Sequence, residues 1–233
     1  NSFGNPSRGP EFWQSDFKLA LSQIADYQLL IASVVGTIQT GFSKAEYYQD
    51  FADTAKLAVD AGAKVIEINL SCPNVANEGV VCYDEDATTE IISRTKDSIG
   101  DIPLVIKIGY FEDSKNDLLF KIIDRASDKI AGISAINTIP AKVYNTKHEQ
   151  ALPGENRLVS GCCGSGIKWA GIEMTKKLND IRQQNNYKYQ IIGVGGVMNK
   201  IDYEEYINNG ADCVMSATGS MWNLNLAREI IAG

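Results

Sequence analysis

The chain has 233 residues, 44% of them hydrophobic and 22% charged, which is the composition of a globular protein with a sizeable core. Its formal net charge is −7, with acidic and basic residues mixed along the chain, which argues against nucleic acid as a partner. No apolar run approaches membrane-spanning length, so no membrane partner is expected, and the five cysteines lack metal-ligand spacing. We therefore expect a cytoplasmic protein with free thiols.

Apolar runs alternate with helical periodicities along the chain and predict six strands, each followed by a helix. Most strands recur at intervals of about 30 residues, which is typical of βαβ units. A further helix precedes the first strand, and residues 138–166 are predicted to be irregular. The predicted strands cover residues 29–35, 65–70, 104–108, 133–137, 191–194 and 213–217, and the predicted helices cover residues 15–25, 43–61, 86–98, 116–129, 169–184, 202–209 and 224–231.

Two architectures fit this alternation: an open doubly wound sheet, and a (β/α)8 barrel that lacks its first two strands. No Gly-x-Gly-x-x-Gly motif follows the first strand, which weakens the open, dinucleotide-binding sheet. Polar or glycine residues recur at the carboxyl end of nearly every strand, and a barrel builds its active site from such strand ends. We therefore expect an α/β TIM barrel, N-terminally incomplete, formed as a single domain by residues 1–233.

The strand at residues 65–70 ends in Ser-Cys-Pro-Asn, the most informative stretch of the sequence. Pro73 has no amide proton, so the strand cannot continue through it. The thiol of Cys72 and the carboxamides of Asn69 and Asn74 are therefore presented together at a strand end. Parallel α/β folds place their chemistry at such ends.

Other chemistry-bearing residues follow the later strands. Lys107 ends an apolar strand, and a buried lysine is costly unless its ammonium group meets a negative partner. Asn137 and Thr138 follow the next strand. Gly195-Gly196 and Ala217-Thr218-Gly219 follow the last two strands, where barrels hold phosphate groups with backbone amides.

Taken in order, these residues resemble the dihydroorotate dehydrogenase family. Asn-Leu-Ser-Cys-Pro-Asn-Val at residues 69–75 is the specific part, and the opening Asn-Ser-Phe-Gly resembles that family's Asn-Ser-x-Gly substrate loop. The resemblance implies a (β/α)8 barrel that holds FMN at the carboxyl ends of its strands and oxidises dihydroorotate to orotate in de novo pyrimidine biosynthesis. It also implies that the first two strands of the barrel precede residue 1.

The resemblance assigns roles to individual residues. Cys72 is the expected general base on one side of the substrate ring, with flavin N5 accepting a hydride on the other, and a cysteine here implies the soluble class 1 type. Lys107 is expected near N1 and O2 of the flavin. Two departures fall in the expected flavin site: alanine at 217, where the family usually has glycine, and the irregular loop at residues 161–166. The expected substrate-binding residues are Asn1, Phe3, Gly4, Asn69, Asn74, Asn137 and Thr138, and the expected FMN-binding residues are Lys107, Gly161, Gly164, Gly195, Gly196, Ala217 and Thr218.

The resemblance further implies a homodimer that passes electrons to an acceptor such as fumarate. One alternative function is that of a dihydropyrimidine dehydrogenase-like flavin reductase, because the flavin domain of that enzyme shares the Ser-Cys-Pro loop. Another is a catalytically silent barrel homologue. The remaining cysteines are expected to be small buried side chains and the one histidine a surface residue: Cys82, Cys162, Cys163, Cys213 and His148.

Overall fold

The computed structural model describes residues 6–71, 80–155 and 157–232. Strands and helices alternate in these ranges as predicted except at residues 132–162, where three strands follow one another. None of the helices in the described ranges is both long and apolar enough to cross a bilayer. The helices are α1 (Pro10–Leu21), α2 (Lys44–Asp60), α3 (Glu85–Ile99), α4 (Asn116–Ala126), α5 (Lys168–Asn185), α6 (Lys200–Asn208), α7 (Thr218–Trp222) and α8 (Leu226–Ala232). The strands are β1 (Ala32–Val34), β2 (Ile66–Asn69), β3 (Leu104–Ile108), β4 (Gly132–Ala135), β5 (Ile139–Lys142), β6 (Val159–Cys162), β7 (Gln190–Val194) and β8 (Cys213–Met215).

The chain forms two compact units, and the boundary between them in the sequence falls within β4. This division does not test the prediction of a single domain, which stays a prediction. The two units are the N-terminal unit, which comprises residues 6–133 and 186–189, and the C-terminal unit, which comprises residues 134–185 and 190–232.

The N-terminal unit contains three parallel strands in the order β1-β2-β3. Successive side chains of a strand point to opposite faces, so each strand has two distinct sides. On one face Ile66, Ile68 and Ile106 are fully buried, and α2 packs on β1 and β2. Each of these side chains stabilises the fold by about 1.5–3 kcal/mol. The other face presents the polar side chains of β2 and β3, which lie side by side.

Local signals set the ends of the helices that cover this sheet. At the start of α2, the hydroxyl of Ser43 accepts from the N–H of Glu46 at 3.3 Å, and the Glu46 carboxylate accepts from the N–H of Ser43 at 2.8 Å. This reciprocal capping box satisfies two backbone donors that have no partner in the first turn of a helix. Asp84 caps α3 with a single bond, its carboxylate accepting from the N–H of Ala87 at 3.0 Å, and α3 ends at Gly100 with φ of 61°. The predicted positions of both helices are confirmed.

The C-terminal unit is built on the parallel strands β7 and β8, with α5 packed on β7. Met174, Leu178 and Tyr206 are fully buried in its core. The ring of Tyr206 occupies the space beside Gly171 and Gly193, and a Cβ at either glycine would collide with it. The six predicted strands are all present, as β1, β2, β3, β4, β7 and β8.

The prediction that residues 138–166 are irregular is wrong. Strands β5 and β6 form an antiparallel pair in which Ile139 lies opposite Cys162 and Pro140 opposite Gly161. A proline weakens the sequence signal for a strand, and a long connection between the two strands hides their pairing. Side chains of β5 alternate between half-buried and exposed, so no continuous apolar run indicates the strand.

Predictions for two helices and three cysteines need correction. Helix α1 begins at Pro10 rather than at residue 15, because proline is favoured in the first turn of a helix. The short helix α7 was not predicted, and it begins directly after Ala217. Cys213 is exposed rather than buried because it opens β8, which pairs with β7 alone among the described strands. Cys82 is buried and His148 is exposed, as predicted, whereas Cys162 and Cys163 are half-buried.

Candidate active site

Two of the predicted site residues meet at the carboxyl ends of β2 and β3. Asn69 lies opposite Lys107 in the register of the parallel pair, so their side chains share one face of the sheet. The amide oxygen of Asn69 accepts from the N–H of Ser71 at 3.1 Å and from its hydroxyl at 3.2 Å, which fixes the orientation of the amide. This part of the N-terminal unit brings an amide and an ammonium group together, as the sequence predicts.

Lys107 is half-buried, and its side chain makes no ion pair or hydrogen bond within the described ranges. The expected cost of placing a lysine in an apolar strand is therefore not offset by a structural salt bridge from these residues. A half-buried ammonium group of this kind is suited to a negatively polarised ligand.

Sequence reasoning missed Glu67, which precedes Asn69 by two residues and shares its face. The side chain is only 4% exposed. One carboxylate oxygen accepts from the hydroxyl of Ser33 at 2.7 Å, and the other, Oε2, is buried without a hydrogen-bond partner in the described chain. An acid in the middle of an apolar run was the available signal, because buried acids are rare unless they have a partner.

The strand ends that present Asn69 and Lys107 are held by a ring of hydrogen bonds. The N–H of Leu70 donates to the carbonyl of Lys107 at 3.0 Å, and the N–H of Cys82 donates to the carbonyl of Leu70 at 2.9 Å. The thiol sulfur of Cys82 in turn accepts from the N–H of Gly109 at 3.4 Å. The end of β3 is therefore bound at two points, the carbonyl of Lys107 and the N–H of Gly109.

Tyr83 adds a second connection to the same strand end. Its hydroxyl donates to the carbonyl of Tyr110 at 2.6 Å, and its ring packs edge-on against Phe111 with centroids 4.9 Å apart. Burial raises the pKa of Tyr83 to about 12 and that of the Cys82 thiol to about 12, so both groups are protonated at neutral pH. Cys82 and Tyr83 are therefore neutral structural partners of residues 109–111. Five predicted site residues lie outside the described ranges: Asn1, Phe3, Gly4, Cys72 and Asn74.

In the C-terminal unit several of the predicted site residues lie close to one another. A Cβ at Gly161 would collide with the side chain of Thr138, and a Cβ at Gly164 would lie 3.1 Å from the Thr218 side chain. At Gly196 it would lie 2.9 Å from the carbonyl of Gly164. Glycine permits these close approaches because it has no side chain. Asn137 is half-buried and follows β4 after one intervening residue, Ile136.

The turn after β7 is fixed by bonds to its carbonyl oxygens. Gly195 and Gly196 have φ of 133° and 71°, which few other residues adopt without strain. The hydroxyl of the buried Tyr206 donates to the carbonyl of Gly195 at 2.7 Å, and the hydroxyl of Ser216 donates to the carbonyl of Val197 at 2.7 Å. These carbonyls are bound within the fold, which suits a turn that presents N–H donors to an anion.

Ala217 departs from the family pattern without straining the backbone. Its φ is −99°, which an alanine adopts readily, so the conformation at this position does not require glycine. Thr218 follows at the first position of α7. Sequence reasoning identified this pair but did not identify the polar side chains of Lys168 and Asp202, which lie behind the glycine turn.

Comparison with known proteins places these features in a family. The sequence matches the dihydroorotate dehydrogenase family over residues 1–233. It is 38% identical over 233 residues to a dihydroorotate dehydrogenase of Dictyostelium discoideum, an alignment that covers 98% of this chain and 62% of that protein. It is 27% identical over 200 residues to dihydroorotate dehydrogenase A (fumarate) of Lactiplantibacillus plantarum, covering 86% of this chain and 61% of that protein.

Among solved structures, a dihydroorotate dehydrogenase of Eimeria tenella in complex with ferulenol matches with a TM-score of 0.74 at 17% identity, covering 99% of this chain and 65% of that chain. This likeness confirms the predicted class, a parallel α/β barrel. The chain belongs to the dihydroorotate dehydrogenase family, whose members are in general flavin-dependent. It spans about three fifths of the length of the first two curated relatives.

Proposed function

We propose that the complete protein containing this chain oxidises dihydroorotate to orotate with FMN as its cofactor. The observation that best supports this is the pairing of Asn69 and Lys107 at the ends of β2 and β3, with Asn69 two residues before the start of the Ser-Cys-Pro-Asn sequence. An amide can both donate and accept hydrogen bonds, and the adjacent ammonium group meets no carboxylate in the described chain. This combination suits an anionic ring system with several polar edges.

The C-terminal unit offers a backbone-lined place for the FMN phosphate. Gly164, Gly196 and Thr218 approach each other so closely that added side chains would fill the space between them. Backbone N–H groups and hydroxyls are the usual ligands of a phosphate at the last strands of a barrel. We assign the phosphate to these three residues with Gly195, and assign further cofactor contacts to Gly161, Ala217 and Lys107.

Bound FMN would supply the hydride acceptor of the reaction. Cys72 would remove the proton from the substrate carbon next to the carbonyl group, which requires its thiolate form and hence a lowered pKa. Lys107 would hold positive charge next to the cofactor ring, where negative charge develops. The amide and hydroxyl side chains of Asn1, Asn69, Asn74, Asn137 and Thr138 would orient the substrate through hydrogen bonds, and Phe3 and Gly4 would contact it as part of the Asn-Ser-Phe-Gly loop.

The test of this function is the absorption spectrum of the purified complete protein, before and after anaerobic addition of dihydroorotate. We expect an oxidised flavin spectrum that is bleached by the substrate. The Cys72→Ala variant should bind FMN normally but be reduced about 100-fold more slowly or worse, because loss of a general base has an effect of this size. Cys213→Ala, which removes an exposed thiol from β8, is the matched control and should reduce at the wild-type rate. Reduction of Cys72→Ala within about threefold of wild type would show that this residue is not the base.

The identity of the substrate, the electron acceptor and the oligomeric state are also proposed. Reduction by dihydrouracil rather than dihydroorotate would instead indicate a dihydropyrimidine dehydrogenase-like reductase, and a purified protein without flavin would indicate a silent homologue. We propose fumarate as the electron acceptor of a class 1, cytoplasmic homodimer. Reoxidation of the reduced protein by fumarate but not by NAD, together with a dimeric mass in solution, would support this assignment.

A further inference from the structure

A cluster of charged side chains lies directly behind the glycine turn that follows β7. The Oδ2 atom of Asp202 accepts from the backbone N–H of Met198 at 2.9 Å, and its Oδ1 atom accepts from the ammonium group of Lys168 at 2.8 Å. Lys168 also contacts Glu205 at 2.9 Å. Asp202 therefore connects the backbone of the turn after β7 to the first residue of α5.

Asp202 is only 8% exposed, and it is charged. Burial by itself raises its pKa, but the hydrogen bonds from Lys168 and from the N–H of Met198 lower it further than burial raises it, so the pKa lies below its ordinary value. Charge-assisted hydrogen bonds of this kind are about twice as strong as neutral ones. A buried, ionised and bridging carboxylate is therefore a firm connection between the two segments.

The two segments joined by Asp202 are the ones assigned to the phosphate. Lys168 directly follows the tight turn Gly164–Ile167, which contains Gly164. A Cβ at Gly196 would lie 2.7 Å from the Cβ of Lys168 and 2.9 Å from the carbonyl of Gly164, so the turns are in direct contact. A change in the position of Lys168 or of Met198 would change the distance between the two turns.

Capping of α6 accounts for only part of this arrangement. Asn199 caps the helix, since its side-chain oxygen accepts from the N–H of Asp202 at 3.0 Å. In a capping box the carboxylate at the third helical position would return to the N–H of the cap residue itself. The Asp202 carboxylate does interact with the N–H of Asn199, but it also reaches one residue further back, to Met198, and across to Lys168. The last two contacts join the turn to α5 and go beyond what a helix cap requires.

We propose that Asp202 and Lys168 are positioning residues that hold the Gly164 and Gly195-Gly196 turns at the spacing required by the FMN phosphate. This inference rests on the proposed function, because it presumes that FMN is the cofactor. It predicts a specific defect: loss of the carboxylate should weaken binding of the phosphate and not of the flavin ring.

FMN and riboflavin differ only in the phosphate group, and their affinities can be compared on the apoprotein of the complete chain. For Asp202→Asn we expect FMN affinity to fall about tenfold or more, the effect of one lost hydrogen bond to a charged group, while riboflavin affinity is unchanged. Glu204→Gln is the matched control, since Glu204 lies on the same helix in an exposed 4.0 Å pair with Lys200. It should alter neither affinity.

The other outcomes separate the two proposals. A wild-type protein that binds riboflavin as tightly as FMN would refute the phosphate site and with it the proposed function. Suppose that the wild type prefers FMN. An Asp202→Asn variant that keeps the full preference for FMN, or that loses affinity for FMN and riboflavin equally, would then overturn only the positioning role. If Asp202→Asn does not fold, Lys168→Gln removes the same bridge from its other end and should show the same selective loss of FMN affinity.

Discussion

Tyr83→Phe removes one hydroxyl from the connection that holds the end of β3. The ring remains, so the edge-on contact with Phe111 and the position of the Lys115 ammonium group, 4.3 Å from the ring centroid, are retained. The change therefore isolates the 2.6 Å hydrogen bond to the carbonyl of Tyr110. A typical intramolecular hydrogen bond contributes about 0.5–1.5 kcal/mol, so we expect the free energy of unfolding to fall by about 1 kcal/mol.

The same variant should also affect the site, because residues 109–111 directly follow the strand that presents Lys107. Urea denaturation of the complete protein gives the stability change, and the rate of flavin reduction by dihydroorotate gives the effect on the site. Tyr187→Phe is the control: it removes a tyrosine hydroxyl that bonds to Asp124 at the surface of the same unit and should change stability by less than about 0.5 kcal/mol. Equal effects of the two substitutions on both measurements would refute the assignment of Tyr83 to this strand end.

Two further predictions follow from individual contacts. Burial raises the pKa of Cys82 from an ordinary value of 9.0 to about 12, so the unfolded thiol ionises first, and stability present below pH 9 should be lost as the pH rises towards 12. In denaturation experiments the Cys82→Ala variant should lose less stability than the wild type over that pH range. An identical decline in both proteins would contradict the raised pKa of the Cys82 thiol. Gly219→Ala should lower stability by about 1–3 kcal/mol, because a Cβ there would collide with the carbonyl of Val197 and the hydroxyl of Ser216. Gly9→Ala, where only the flexible Glu11 side chain must move, should have a much smaller effect on the melting temperature.

The sequence predicted the parallel strands well because each one has a local signature. A buried strand such as Leu104–Ile108 is an apolar run that ends in a glycine, and its bounds match the structure. The capping residues Ser43 and Asp84 act within three positions along the chain, so their effect is also local. The pairing of β5 with β6 depends instead on residues about 20 positions apart, one of them a proline, and no local pattern identifies it.

The candidate site residues also differ in whether a local sequence signal or a contact between distant residues defines them. Asn69 and Lys107 were predicted because polar residues at the end of an apolar strand are conspicuous in the sequence. Glu67 is equally conspicuous as an acid inside an apolar strand. The sequence does not reveal which donor its carboxylate meets, because Ser33 is 34 positions away. Asp202 and Lys168 are likewise 34 positions apart, and in the sequence both resemble ordinary charged residues on the surface of a helix. Only the fold shows that they are in contact.

The two sets of proposed binding residues therefore differ in which substitutions they should tolerate. Asn69 and Lys107 act through their side chains, so replacing either one directly changes the chemistry that the strand ends present. The turns proposed to bind the phosphate would act through their backbones, so their function would depend on residues that need not touch the ligand: Tyr206 holds the carbonyl of Gly195, and Asp202 holds the N–H of Met198. Ala217 can replace glycine in such a place because its φ of −99° is open to both residues, whereas Gly196, with φ of 71° and backbone within 3.0 Å of where a Cβ would stand, has no such freedom. Binding of the cofactor should thus be more sensitive to the supporting contacts than to the identity of residue 217.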